Sequence, residues 1–157
     1  MIYELKEKDI AYDSSAFNGG SDYDKECSKL LWVLFEKYGS IIYITKRTED
    51  EIFKPQTPSF IKDISYKTIL LFPNGYPEKK QLEERNYIRK LIVGNSKSKK
   101  RRIDADIVYE CLRYDIDILI SNDKHLYKHC IIKLPNSGKS LQILRSSQLY
   151  IEINNQI

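Results

Sequence analysis

The stretch RIDADIVYECLRYDIDILISND, residues 102–123, decides the architecture. After Asp104, the residues Ile107, Val108, Cys111 and Leu112 recur at i, i+1, i+4 and i+5, the spacing of one buried helix face. Asp115 marks the end of that helix. Ile116, Ile118, Leu119 and Ile120 then form a strand rich in β-branched residues, and Ser121, Asn122 and Asp123 turn the chain into a further helix holding Leu126 and Tyr127. A helix leading into a nearly continuous apolar strand belongs to a sheet buried on both faces. Asp123 falls just beyond the strand's carboxyl end.

Working towards the N-terminus, the same grammar repeats. Asp9 to Tyr12 reads as a short strand that stops at the turn-prone Asp13, Ser14 and Ser15, so Asp13 also lies just past a strand. Leu30, Leu31, Leu34 and Phe35 follow helical spacing and predict a helix over about Asp24 to Tyr38, with Ser21 or Asp22 as cap and Gly39 as stop. Ile41 to Ile44 is an apolar run of buried-strand length, and Thr48 to Phe53 begins a helix that Pro55 and Pro58 interrupt. In the middle of the chain, Tyr66 to Phe72 suits strand or helix, Pro73 to Pro77 is a loop, and Lys79 to Val93 is helical. Beyond Asp123, a strand is expected near Leu141 to Leu144, then a helix or extended segment from Ser147.

Alternating strands and helices imply an α/β fold, a three-layer α/β/α arrangement around a mostly parallel sheet. The 157 residues fit one domain, 1–157, long enough to bury a core without disulfide or metal staples. Hydrophobic residues are 41% and charged residues 31%, which excludes a disordered chain. Charges at Glu4, Lys6, Glu7, Lys8 and Asp9 break any signal-peptide core, and no stretch approaches the roughly 18 apolar residues of a membrane helix, so a cytoplasmic location without membrane association is expected. Cys27, Cys111 and Cys130 are far apart and odd in number, which suggests reduced thiols rather than a disulfide framework or a zinc site; Cys111, on an apolar face, reads as core.

In open α/β sheets, ligands bind outside the strands' carboxyl ends. That rule gathers Asp13 and Asp123 at one edge, with Glu51 and Asp104 near the starts of helices that open there. Each acid has an ordinary explanation. Asp104 and Asp123 precede helical segments as N-caps do, a role worth about 0.5–2 kcal/mol. Thr48 and Glu51 have capping-box spacing, and Asp13 with Ser14 and Ser15 makes a turn. Together they ask for more, because carboxylates crowded at one edge repel one another unless a cation neutralises them. A hard divalent ion, Mg²⁺ or Mn²⁺, suits oxygen ligands and supports phosphodiester hydrolysis. The net charge of +4 identifies no partner by itself. Lys97, Lys99, Lys100, Arg101 and Arg102, crowded before Asp104, supply a local positive field for a phosphate backbone, or else form a solvated loop. The 12 tyrosines are read as core and rim residues rather than base-stacking surfaces.

Three stretches resemble the PIN-domain nucleases. IAYDSSAF, residues 10–17, is similar to the family's opening metal-binding motif of a short strand, Asp and small hydroxylated residues. YITKRTEDEI, residues 43–52, resembles its strand and helix carrying an acid before an aliphatic residue, here Glu51 before Ile52. The stretch 102–123 resembles its acid, amphipathic helix, aliphatic strand, then hydroxyl, any residue, Asp. The resemblance implies catalytic acids at Asp13, Glu51, Asp104 and Asp123, metal contacts from Asp13, Asp104 and Asp123, and polar support from Ser15 and Ser121. It implies an Mg²⁺- or Mn²⁺-dependent endoribonuclease acting on RNA, with DNA as the alternative substrate. A toxin-type member would have an antitoxin or other protein partner, and the apolar content is compatible with a homodimer. The competing readings are a catalytically inactive PIN-like module that binds nucleic acid or a protein, and an interaction protein whose acids are caps. Lys124 and His125 stand where many members carry a further acid, which argues against a second metal ion. Asp106, about 200° around the helix from Asp104, ranks below the four.

Overall fold

A computed structural model describes residues 7–38, 42–52, 66–69 and 78–155, with only the backbone of residues 18, 51, 52 and 66–69. Gly39, Phe53, Pro55, Pro58 and the segment 70–77, to which stops, breaks and a loop were assigned, lie outside the described residues. The chain runs β1 (Ile10–Tyr12), α1 (Ser15–Asn18), α2 (Asp22–Lys37), β2 (Ile42–Thr45), α3 (Lys46–Ile52), β3 (Tyr66–Ile69), α4 (Lys79–Val93), α5 (Lys99–Arg113), β4 (Ile118–Ile120), α6 (Lys124–Tyr127), β5 (Ile131–Lys133), β6 (Ser140–Leu144) and α7 (Ser146–Asn154). Among these residues six strands form one sheet in the order β3-β2-β1-β4-β6-β5. All neighbours are parallel except β5, which pairs antiparallel with β6. The expected α/β class and mostly parallel sheet are therefore present.

Register follows from burial. Ile10 pairs with Ile42 on one side and Ile118 on the other, and Tyr12 pairs with Ile120. Because side chains alternate along a strand, Ile10, Tyr12, Ile42, Ile44, Ile118 and Ile120 fill one apolar cluster with Leu31 and Phe35 of α2 and Leu149 and Ile153 of α7. Ala11, Leu119 and Ile143 fill the other, with Ile88 of α4 and Val108, Cys111 and Leu112 of α5. Cys111 is core, as read from its helical face.

Several boundaries moved, each for a local reason. Helix α2 starts at Asp22 because Ser21 and Asp24 close a capping box, and Arg145 reaches Asp24 at 2.6 Å to tie α7 to α2. Thr48 is not the cap of α3. Its backbone N–H donates to Thr45 Oγ1 at 3.2 Å, so the last residue of β2 caps the helix and Thr48 is buried within it. Helix α5 begins at Lys99, not near Asp104, so the basic run is mostly its first turn rather than a loop, and Asp104 is no N-cap. Strand β5 is a short edge strand that the apolar pattern did not announce. No helix among the described residues is long and apolar enough to cross a membrane.

Candidate active site

Strands β1 and β4 are adjacent and parallel, so the residues that follow them meet at one edge of the sheet. The Asp13 N–H donates to the Ile120 carbonyl at 3.1 Å, extending that ladder one residue past β1. The Asp13 carboxylate is buried and enclosed by donors. Ser15 Oγ donates to Oδ1 at 2.6 Å, the Ala16 N–H to Oδ1 at 3.0 Å, and Ser121 Oγ to Oδ2 at 2.5 Å. Burial nevertheless outweighs these bonds, and with the nearby Asp104 charge it pushes the Asp13 carboxyl up to about 6. A group so held titrates near neutrality and gains from any cation brought to it.

Both serines that bond Asp13 also bond the segment after β4. Ser121 Oγ also accepts from the Asp123 N–H at 3.2 Å, and Ser15 Oγ accepts from the Asn122 N–H at 3.0 Å. The motif's unspecified position carries more weight than the sequence disclosed. Asn122 is buried, its side-chain amide donates to the carbonyls of Ser15 and Gly19 at 3.2 Å each, and its oxygen accepts from the Ser146 N–H at 2.8 Å. It fastens the ends of β1, β4 and β6 together.

Asp123 divides its two oxygens between a backbone cap and cations. Oδ1 accepts from the His125 N–H at 2.9 Å as the N-cap of α6, while Oδ2 faces Arg101 Nη1 at 3.3 Å and Lys100 Nζ at 3.6 Å. Burial alone would raise this carboxyl, but the His125 amide and the two cations hold it below the usual carboxylate range. Asp104 comes to this edge from the first half of α5, which packs on the sheet face that holds Ala11, Leu119 and Ile143. Its Oδ2 accepts from Arg101 Nη1 at 3.1 Å. Asp13, Ser14, Lys99, Lys100, Ile103, Asp104 and Ile107 line an open concavity of about 410 Å³.

Asp13, Asp104 and Asp123 are thus brought to one edge, from positions separated by as many as 110 residues of chain. Glu51 lies on α3, which leaves the carboxyl end of β2, and its side chain is outside the described residues. Among the described residues, no group of three or more His, Cys, Asp or Glu side chains is gathered to hold a metal ion. The donors are hard oxygens, and Asp13 Oδ2 accepts one hydrogen bond and so keeps a second lone pair. The donor chemistry fits Mg²⁺ or Mn²⁺, with Arg101 now between two of the acids.

Of the basic run, Lys99 and Lys100 line the concavity and Lys97 and Arg102 are exposed, whereas Arg101 turns inward onto acids. Asp106 faces elsewhere, as its position around the helix required. Arg47 of α3 and Arg85 and Arg89 of α4 all reach it, at 3.0–3.2 Å, making it a buried tether between helices. Sequence reasoning passed over Glu110, one turn further on. It is buried, and its Oε2 has no hydrogen-bond partner among the described residues. Burial pushes its carboxyl up to about 8, against the pull of Arg47. An acid two helical turns from a motif acid gives no sign in sequence of being sealed in.

No family model matches the chain, and no curated protein matches it.

Proposed function

We propose that the chain is a PIN-like, three-layer α/β/α domain and a metal-dependent endoribonuclease. The reading is carried by one observation: Asp13 and Asp104 line one concavity with Lys99 and Lys100 at the carboxyl end of β1, and Arg101 links Asp104 to Asp123 beyond the adjacent β4. Support for the layered arrangement comes from the two apolar clusters, which draw alternate residues of the same strands and different sets of helices.

Asp13, Asp104 and Asp123 would hold Mg²⁺ or Mn²⁺. Such an ion neutralises the acids, polarises a phosphoryl oxygen and lowers the pKa of water. Ser15 and Ser121 fix the Asp13 carboxylate by holding both oxygens, so its remaining lone pairs keep one direction. Asn122 prevents the two strand ends from separating. Lys99 and Lys100 draw the phosphate backbone to the rim and contribute affinity without sequence choice. Single-stranded RNA is the substrate to try first, incubated with Mn²⁺ and the parent protein or Asp13→Asn. Cleavage by the parent alone is the expected result; no cleavage by either, with no Mn²⁺ binding, would sink the reading.

A second reading is favoured by Arg101. A guanidinium shared by Asp104 and Asp123, with Lys100 beside Asp123, offsets their charge without any metal, as it would in a catalytically silent PIN-like module that binds nucleic acid or a protein. RNA binding that persists without divalent ions or cleavage would select it.

A further inference from the structure

Arg101 stands in the first turn of α5 with its side chain 18% exposed, and one nitrogen, Nη1, serves both acids: Asp104 Oδ2 at 3.1 Å and Asp123 Oδ2 at 3.3 Å. The two carboxylates are themselves only 10% and 14% exposed. Lys100, the other cation on Asp123, is farther at 3.6 Å and 71% exposed, so solvent screens it. Among the described residues, Arg101 is the cation seen to reach both acids.

We propose that Arg101 is the resident counter-ion of this site, which a divalent cation must displace to engage Asp104 and Asp123. The proposal rests on the metal-binding reading above. Two ionised carboxylates facing one another require positive charge between them, and a tethered guanidinium supplies it at no translational cost. A divalent ion bound to the same two oxygens would sit against Arg101 Nη1, and like charges at that range repel strongly in a partly buried site. Both do not occupy the gap. Metal binding therefore breaks two ion pairs and its apparent affinity is lowered by their worth. The released guanidinium remains on the rim near Lys99 and Lys100, where its planar fork suits a phosphate oxygen pair. Arg101 then bridges the two acids in the resting protein and faces substrate in the loaded one, a role that the basic run as a whole does not have.

Calorimetric titration of Mn²⁺ into the parent, Arg101→Gln, Arg101→Lys and Lys100→Gln tests this. Arg101→Gln should bind Mn²⁺ roughly tenfold or more tightly than the parent, since the competing charge is gone. Arg101→Lys keeps a cation and should stay near the parent, and Lys100→Gln should shift far less than Arg101→Gln. A folded Arg101→Gln protein that binds Mn²⁺ no more tightly than a Mn²⁺-binding parent overturns the proposal and leaves the nuclease reading standing. If no protein in the set binds Mn²⁺, both fall. Should Arg101→Gln not fold, the parent gives the answer by NMR. The guanidinium signal missing from Arg101→Lys should move on Mg²⁺ titration, and an unmoved signal in a Mg²⁺-bound parent overturns the proposal.

Discussion

Asp123 divides its two oxygens between a backbone cap and a cation, and this division makes Asp123→Asn informative. Asn caps a helix about as well as Asp, so α6 should survive and metal-free thermal stability should stay near the parent's. Loss of the charge facing Arg101 should remove most Mn²⁺-induced stabilisation and most RNA cleavage, read by thermal shift and gel assay. Full-rate cleavage at limiting Mn²⁺ would reduce Asp123 to a cap. Glu110 gives a pH prediction. Its carboxyl lies near 4.5 ordinarily and is pushed up to about 8 in the fold, so the native state binds the extra proton. Its contribution to stability is present below about 4.5 and is lost as pH rises through about 8, at up to about 1.4 kcal/mol per pH unit. Asp13 acts in the same sense up to about 6. Asp24, Asp106 and Asp123 act oppositely, since burial is outweighed in each by cationic or hydrogen-bonding partners, and their stabilisation disappears in acid. Glu110→Gln should therefore flatten the decline in melting temperature between pH 5 and pH 8, and an unchanged slope there would show that Glu110 is not the titrating group.

At the scale of elements, α5 is held on both flanks by charge. On one side its Lys100 and Arg101 reach Asp123, just beyond β4, and on the other Asp106 receives Arg47, Arg85 and Arg89. Asp106→Asn would leave three guanidiniums without their common counter-charge. The expected loss is about 2–3 kcal/mol in denaturant unfolding, below that of a fully buried pair because the arginines stay partly exposed. A loss under half that size would mean the arginines find other partners. The start of α5 explains one failure of the sequence reading. Lys99, Lys100, Arg101 and Arg102 oppose the positive end of the helix dipole, and the first turn holds no acid, so the run reads as loop. Arg101's pairing with Asp104 and Asp123 offsets that repulsion, and Asp123 lies 22 residues further along the chain.

Across the whole molecule, the basic rim is what long nucleic acid would meet. Replacing Lys97, Lys99, Lys100 and Arg102 by Gln should weaken RNA binding uniformly across sequences and flatten its dependence on salt, measured by anisotropy at several ionic strengths. Arg101 is left out of that set because in the metal-free protein it is paired with Asp104 and Asp123. An unchanged salt slope would place the nucleic-acid surface elsewhere. The sequence by itself determined the α/β pattern, because the periodicities of buried helix faces and of short apolar strands are written residue by residue. Ile118 to Ile120 and Lys79 to Val93 were legible for that reason. It also placed Asp13 and Asp123 just past strands, and hydroxyls beside them. Only the tertiary structure decided which charges meet. That Arg101 lies between Asp104 and Asp123, that Asp106 collects three arginines, that Glu110 is sealed from water and that Asn122 joins three strand ends all depend on packing between distant elements. Local sequence fixes backbone preference and periodicity, whereas side-chain pairing and burial are set by neighbours the chain brings together only when the sheet forms.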